Sequence, residues 1–540
     1  MMSLSSLSSL PEFSNDNINT WLSALALVVS IAWLGVRYAS RRVPVKGLPM
    51  AAGSHWYYGH SHFLALDFKL IWRKLAYENA NKDGICTFWL GRKPCMAVTH
   101  AEHARAVLNC TFFRDESHYF FKHISQFVGK KSLVLLMGKE WKTYRFIIAR
   151  AFTPASMLAL RAPMTSVVST LVKSLTKKCD EVEAKGETLT MNITYLLKMV
   201  TIDTFGEAVF GKDLQCCSTF AHSPVETSLE FVQTEFSRRM SSPFNIAAQI
   251  YSLPTAANRR RQEKLDYVRN FFSQMIHEHE DKDKKGDLLF ELLQSVEEYT
   301  KSTGEKIDKS IFHEALIDNL ITLYVGSTDN TATNLSYTLY CLAMHLNAQE
   351  KLLEEANRVL KDDPREIDYT ELAYCTAAVT EGLRLYGNTH TLRRTLEKPM
   401  QLGDTTVPVG MSVFFPFWDI QRDERHFPHA LEYLPERWVK LGDDGKTWEK
   451  RFPEKNESPT KSDAAGEIPA ADRKAFFAFS VGGRNCVGER MARQQATIIL
   501  AMLVRKFSFE VVPGYKLEPV NNGFTQKAKG GIPMIIKKRI

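Results

Sequence analysis

The chain has 540 residues, with 44% hydrophobic, 11% aromatic and 24% charged residues, a composition that excludes a mini-protein and argues against intrinsic disorder. Its 69 Lys+Arg against 61 Asp+Glu leave a formal net charge of +8, spread over many short patches. That dilution argues against nucleic acid as a partner and fits a membrane surface or an acidic protein. Nine cysteines, odd in number and without a Cys-x-x-Cys pair, argue against a disulfide framework and point to reduced thiols.

The first element is apolar from Trp21 to Val36, with no charged residue between Asp16 and Arg37. As a helix rising about 1.5 Å per residue it approaches the ~27–30 Å of a thin hydrocarbon layer. A cleaved leader needs a basic start, whereas Glu12 and Asp16 precede this run and Met1–Thr20 holds no Lys or Arg. Residues 21–38 are therefore expected to be a single-pass anchor preceded by a lumenal segment, 1–20. Arg37, Arg41, Arg42 and Lys46 follow it, which keeps the body cytosolic. No other segment is expected to reach spanning length. Residues 39–53, with Pro44, Gly47 and Pro49, form a basic, turn-rich linker, and 54–540 form the globular domain.

Within that domain the pattern predicts mainly α structure with small β-sheets. Thr87–Leu90 and Met96–Thr99 form a predicted hairpin, followed by a helix over Ala101–Leu108; Met400–Leu402, Thr405–Val407 and Met411–Phe415 mark a second β region. Helical periodicity covers Lys139–Leu160, Met164–Lys178, Asn258–Glu280, Lys309–Leu346 and Ala348–Leu360. The 442–472 stretch is expected to be an exposed insertion loop. His277 and His279, two apart on a helix, point away from each other and make a solvated helix end the expected reading rather than a metal site.

The strongest chemical signal runs from Phe479 to Gly488, where Cys486 lies in a glycine-rich loop directly before a helical stretch, Glu489–Val504. A thiolate near a helix N-terminus is favoured by the dipole and by unpaired N–H groups, which lower its pKa and suit it to bind metal. Gly482 and Gly488 let backbone approach a flat ligand, Phe479 can pack on it, and Arg484 can pair with an anionic substituent. Upstream lie Glu381-Gly382-Leu383-Arg384 and Pro435-Glu436-Arg437-Trp438. On the Lys139 helix, Trp141 and Arg145 stand one turn apart on one face, where both can donate to a carboxylate.

Together these segments resemble the cytochrome P450 family, the haem-thiolate monooxygenases, whose haem loop reads Phe-x-x-Gly-x-Arg-x-Cys-x-Gly. The resemblance runs from about Pro44 to the C-terminus and implies the P450 fold, with haem b (iron protoporphyrin IX) between a long distal helix and the cysteine helix. Cys486 is then the axial iron ligand, and Glu381, Arg384 and Arg437 form a buried network. Trp141 and Arg145 are placed at the haem propionates, with Arg394 preferred over Arg393 as a further propionate arginine. In the long helix, Asp329 matches the family's proton-relaying acid, but Asn330 stands where a threonine is expected, with Thr331 rotated ~100° further round. The resemblance also implies that Phe112–Leu136, the region around Phe231–Leu253, Leu320–Thr331 and Asn388–Leu392 line the substrate pocket.

The function implied is oxidation, by hydroxylation or otherwise, of an apolar small molecule, a lipid, sterol or terpenoid, with O2. No flavin or nicotinamide fingerprint is present, so electrons are expected from an NADPH-dependent flavoprotein reductase at the endoplasmic reticulum membrane. Two alternatives stay open: a haem-thiolate hydroperoxide isomerase or dehydratase needing neither O2 nor reductase, motivated by Asn330, and a non-catalytic, membrane-anchored haem- or steroid-binding protein.

Overall fold

The computed structural model describes residues 15–40, 45–55, 59–65, 68–91, 93–111, 119–240, 253–280, 286–361, 368–451, 470–521 and 525–539. The expected lumenal segment up to residue 14, pocket-lining residues 112–118 and 241–252, and 452–469 of the expected loop lie outside them, as do the side chains of Tyr119, Phe120 and Phe121.

Helices dominate. The N-terminal apolar run is α1 (Asn15–Ser40). After it come α2 (Ala101–Cys110), α3 (Tyr119–Val128), α4 (Gly138–Ala151), α5 (Arg161–Glu183) and α6 (Ile193–Phe210). Next are α7 (Pro224–Met240), α8 (Ala256–Glu280), α9 (Leu288–Thr303), α10 (Lys309–Met344) and α11 (Leu346–Val359). The last two long helices are α12 (Ala373–Tyr386) and α13 (Glu489–Lys506). The predicted Lys139–Leu160 helix is broken at Phe152 and Thr153, because Thr153 and Pro154 start a new short helix with a side-chain cap on the Ser156 amide.

Four strands form one sheet. β1 (Ile85–Leu90) and β2 (Lys93–Val98) make the predicted hairpin, in register from Ile85 opposite Val98 to Leu90 opposite Lys93. With β3 (Leu189–Asn192) reserved for another sheet, the next partner is β4 (Leu392–Thr395), and after the β5 (Met400–Leu402) and β6 (Thr405–Val407) hairpin comes β7 (Ser412–Phe415). β7 lies parallel to β2 and antiparallel to β4, giving the order β1-β2-β7-β4. β8 (Val439–Leu441), just before the stretch expected to be loop, pairs with β9 (Trp448–Lys450) inside it, so the first part of that stretch closes a hairpin; Trp448 is the reason, its ring lying 4.9 Å from that of Tyr374. β10 (Phe507–Val511) and β13 (Pro533–Lys538) pair with each other and, through β13, with β3, while β11 (Pro519–Asn521) and β12 (Gln526–Ala528) form the last hairpin.

The core is continuous around α5, α6, α10, α12 and α13. α10 is 36 residues, about 54 Å at helical rise. Asp308 caps it by accepting the amides of Ser310 and Ile311 at 2.9 and 3.1 Å. Its midsection is held from two sides, since Thr201 of α6 donates to the Thr328 carbonyl at 3.0 Å and Asn388 donates to the Asn330 carbonyl at 2.7 Å.

Two expectations are corrected. Among the described residues Pro154–Glu183 is long and apolar enough to cross a membrane, whereas the apolar stretch of α1, Thr20–Gly35, is shorter; Leu171, Leu175 and Cys179 of Pro154–Glu183 are buried in the core, so its apolar face packs against protein. The histidine-bearing end of α8 is solvated only in part: His277 is exposed and stacks on His313, whereas His279 is buried with its Nε2 2.8 and 2.9 Å from the two Asp287 oxygens.

Candidate active site

An interior cavity of about 340 Å³ lies between α10, α4, the α12–β4 connection and the loop before α13. Of the expected site residues, Trp141, Arg145, Asn330, Thr331, Phe479, Arg484, Cys486 and Gly488 line it, whereas Asp329, Arg394 and Gly482 do not.

Cys486 is set by the loop, whose chain is closed by the Cys486 amide donating to the Phe479 carbonyl at 2.9 Å. The thiol presents accessible surface to the cavity while protein atoms surround it on its other sides. Burial therefore pushes its pKa up, which corrects the lowering expected from the helix end. The Gly488 amide, hydrogen-bonded to the sulfur, opposes burial, Glu489 adds to the rise, and Arg145 and Arg493 oppose it. α13 begins only at Glu489, three residues on, where dipole effects have weakened. Gly482 has φ +77°, and a Cβ there would stand 2.4 Å from the Leu108 carbonyl oxygen at the end of α2, so only glycine lets the loop seat against that helix.

Arginines and an indole edge the same cavity. Arg484 donates to the carbonyls of Leu133 and Leu136 at 3.2 and 2.6 Å and lies 4.2 Å from the Trp141 ring centre. Arg145 grips Asn485 through its carbonyl at 2.9 Å and Oδ1 at 2.6 Å. The 131–133 turn that carries Leu133 is tied to α10 by Asn319, whose Oδ1 accepts the Leu133 amide at 2.8 Å and whose Nδ2 donates to the Lys131 carbonyl at 3.0 Å. Arg394 is fully buried on β4, two residues from cavity-lining Leu392 and so on the same strand face. Arg393 is on the other face, 5.9 Å from the Phe414 ring.

Glu381, Arg384 and Arg437 are brought together, each with a side chain 0% exposed. The carboxylate takes Arg384 as a fork at 2.8 and 2.9 Å, Arg437 Nε at 3.2 Å and the Trp438 indole at 2.8 Å. The remaining guanidinium donors go to the carbonyls of Gln421, Ala430, Glu432, Pro428 and His429. Gly382 makes the site possible, since a Cβ would lie 2.3 Å from Thr338 Oγ1 on α10.

Asp329, expected as the proton-relaying acid, stands behind the cavity wall rather than in it. It lies in a buried ion cluster, 2.7 Å from Lys527 Nζ of β12 and 3.5 Å from Lys198 Nζ of α6, and accepts from Gln233 of α7 at 3.1 Å; Lys198 also pairs with Glu226. Burial alone would raise its pKa, but Lys527 and Lys198 outweigh burial and hold it below the ordinary 3.8. A carboxylate depressed in this way contributes stability above the unfolded value and loses it as pH falls through the folded one. Lys527→Met is expected to cost about 2 kcal/mol or more at pH 7, since one lysine then faces two carboxylates, and less near pH 4. Thermal unfolding at the two pH values checks this; an equal shift at both would contradict it.

Asn334 and Arg493 also line the cavity and were not singled out as functional residues. Asn334 was within reach of the sequence, one helical turn from Asn330; Arg493 carries no local signal. Of the segments expected to line the pocket, Leu320–Thr331 and Asn388–Leu392 contribute, as do Leu133 and Val134, whereas nothing from 231–240 does.

The residues present fit a flat, carboxylate-bearing macrocycle with a central metal: a soft sulfur ligand opens into an interior cavity edged by arginines, an indole and Phe479. The Cytochrome P450 family profile matches residues 49–534. The chain is 23% identical over 519 residues to cytochrome P450 3A41 of Mus musculus, covering 92% of each. It is 26% identical over 476 residues to 11-oxo-beta-amyrin 30-oxidase of Glycyrrhiza uralensis, covering 86% of this chain and 83% of that protein. Among solved structures, the cytochrome P450DA heme domain superposes with a TM-score of 0.72 at 17% identity, over 91% of this chain and 98% of that one, a likeness of fold. The mainly helical architecture with small sheets is thus the fold expected from the sequence. With the family profile spanning nearly the whole body and a cysteine loop opening on an interior cavity, the chain belongs to the cytochrome P450 family of haem-thiolate monooxygenases.

Proposed function

We propose that this protein is a membrane-anchored monooxygenase that oxidises an apolar small molecule, lipid, sterol or terpenoid in class, with O2 and electrons from an NADPH-dependent flavoprotein reductase. The observation that carries this reading is the Cys486 thiol facing an interior cavity that also holds Asn330 and Thr331 of α10. Cys486 would hold the iron of haem b. Phe479, Gly482 and Gly488 would shape the loop around it, and Trp141, Arg145, Arg394 and Arg484 would supply donors for its carboxylates. When bound, haem supplies the activation of O2 and the transfer of one oxygen atom to carbon.

The chain's own groups do the positioning. Asn330, which can donate and accept, and the Thr331 hydroxyl are placed to hold water and pass protons at the cavity wall. Asp329 would relay protons from behind the cavity wall, and its ion pairs fasten α10 to α6, α7 and β12. Leu323, Leu392 and Phe479 among the lining residues exclude bulk water. Along α1, Trp21 is 72% exposed and Leu27 and Ile31 are exposed as well, an apolar surface suited to a bilayer. This supports a single-pass anchor; Arg37, Arg41, Arg42 and Lys46 after it favour a cytosolic body, and the endoplasmic reticulum is the membrane proposed. Exposed Lys142, Lys474 and Arg490, on elements flanking the cysteine loop, offer a basic face to an acidic reductase.

One observation favours a second reading, hydroperoxide rearrangement without electrons: Asn330 lines the cavity at the position where the family pattern has threonine. Reconstitution with NADPH and a flavoprotein reductase separates the two. Reductase-dependent O2 consumption with product formation supports the monooxygenase, and turnover of a lipid hydroperoxide without NADPH supports the alternative.

A further inference from the structure

The α10 side of the cavity is more polar than an apolar guest requires. Asn330 and Asn334 stand one turn apart on α10, Asn388 follows the end of α12, and all three line the cavity. Asn334 is only 4% exposed and Asn388 8%. The side-chain oxygens of Asn330 and Asn388 and the side-chain nitrogen of Asn334 are buried without a hydrogen-bond partner. Asn388 spends its Nδ2 on the Asn330 carbonyl at 2.7 Å, which fixes its orientation and leaves Oδ1 for another group. Buried amide atoms left unpaired are costly, and a bound polar group that pairs with them recovers that free energy.

Charge narrows the class. The cavity-lining residues contributed by α10 and by the α12–β4 connection are Asn, Thr, Ser, Gly and Leu, with no cation among them. The lining arginines come from elsewhere: Arg145 lies on α4, Arg484 in the cysteine loop and Arg493 on α13, and the first two would serve the carboxylates of haem. A carboxylate on the α10 side would be desolvated without a counter-charge, whereas a hydroxyl would find both a donor and acceptors there and a carbonyl the Asn334 donor.

We propose that Asn330, Asn334 and Asn388 form a recognition site for a neutral oxygen function of the substrate. The substrate class is then an apolar skeleton that already carries a hydroxyl or carbonyl, rather than a plain hydrocarbon or a fatty-acid anion. This rests on the reading of the cavity as the haem and substrate site.

The test uses the full-length haem-loaded protein in detergent and a matched set of cage compounds: adamantane, 1-adamantanol and adamantane-1-carboxylate. Affinities are measured by calorimetry for the native protein, Asn388→Leu and Asn334→Leu. Comparing the alcohol-to-hydrocarbon affinity ratio between proteins cancels partitioning into detergent. One net hydrogen bond lost should lower that ratio by about fivefold in each variant, with carboxylate the weakest ligand of the native protein. Asn388→Leu also removes the bond to α10; Asn334→Leu removes no side-chain hydrogen bond and so keeps the test open if the first variant fails to fold. A ratio unchanged in Asn334→Leu, or carboxylate binding native protein more tightly than the alcohol, overturns the proposal. Absence of a red-shifted Soret band in the reduced, carbon-monoxide-treated native protein would instead overturn the reading of the cavity itself, so the two failures are told apart.

Discussion

Glu381→Ala is expected to abolish accumulation of soluble, haem-loaded protein. The substitution strands two guanidinium groups, Arg384 and Arg437, each fully buried, and removes the acceptor of the Trp438 indole. Breaking one buried ion pair costs about 3–5 kcal/mol, which is comparable with a large part of a domain's net stability, and here two cations lose their partner at once. The carbonyls around them soften this loss without supplying charge. Glu381→Gln should be nearly as damaging, because the amide presents N–H groups to a shell of donors. Soluble yield, haem content and thermal inactivation rate give the readout. A variant that accumulates normally, with native haem content and unchanged inactivation, would show that the network is not what holds α12 to the Leu434–Trp438 segment.

Gly482→Ala has a different expected result: the polypeptide stays largely folded but loses haem. The added Cβ would fall 2.4 Å from the Leu108 oxygen and 3.0 Å from the Asn109 Cα, both backbone atoms, and φ is +77°. A left-handed non-glycine residue costs about 1–2 kcal/mol before any clash, so the loop must shift away from α2 and carry Cys486 with it. Gly488→Ala is the control. Its φ is −89° and its Cβ would meet only the Phe152 ring at 3.9 Å, an ordinary contact, so it should retain the fold and far more haem than Gly482→Ala. Equal haem content in the two variants would contradict this account of the loop.

These two positions show which parts of the protein could be read from sequence. The cysteine loop and the Glu381–Arg384 pair are local patterns, and three motifs in order located residues that the fold brings together. Arg394 could be preferred over Arg393 on the resemblance alone, while strand alternation from Leu392 gives that preference a geometric reason. α6 was missed for a physical reason. Nearly every residue of Ile193–Phe210 is buried, so no polar face marks a helical period, and β-branched Ile193, Thr194, Val200, Thr201 and Ile202 weaken its propensity signal. The Asp329 cluster was equally hidden. Its partners come from α6, α7 and β12, up to about two hundred residues away in sequence, and nothing local to Lys198 or Lys527 announces them. The pKa of Cys486 was misjudged because proximity to a helix start was visible, but the burial that outweighs it was not.

The most direct test of the central claim is the reduced, carbon-monoxide-bound absorption spectrum of the purified full-length protein beside a Cys486→Ser variant. The account predicts a red-shifted Soret band in the native protein that is lost in the variant, since Cys486 is the thiol that opens on the cavity. A well-folded, haem-supplemented native protein without that band, or a variant that keeps it, would contradict the assignment.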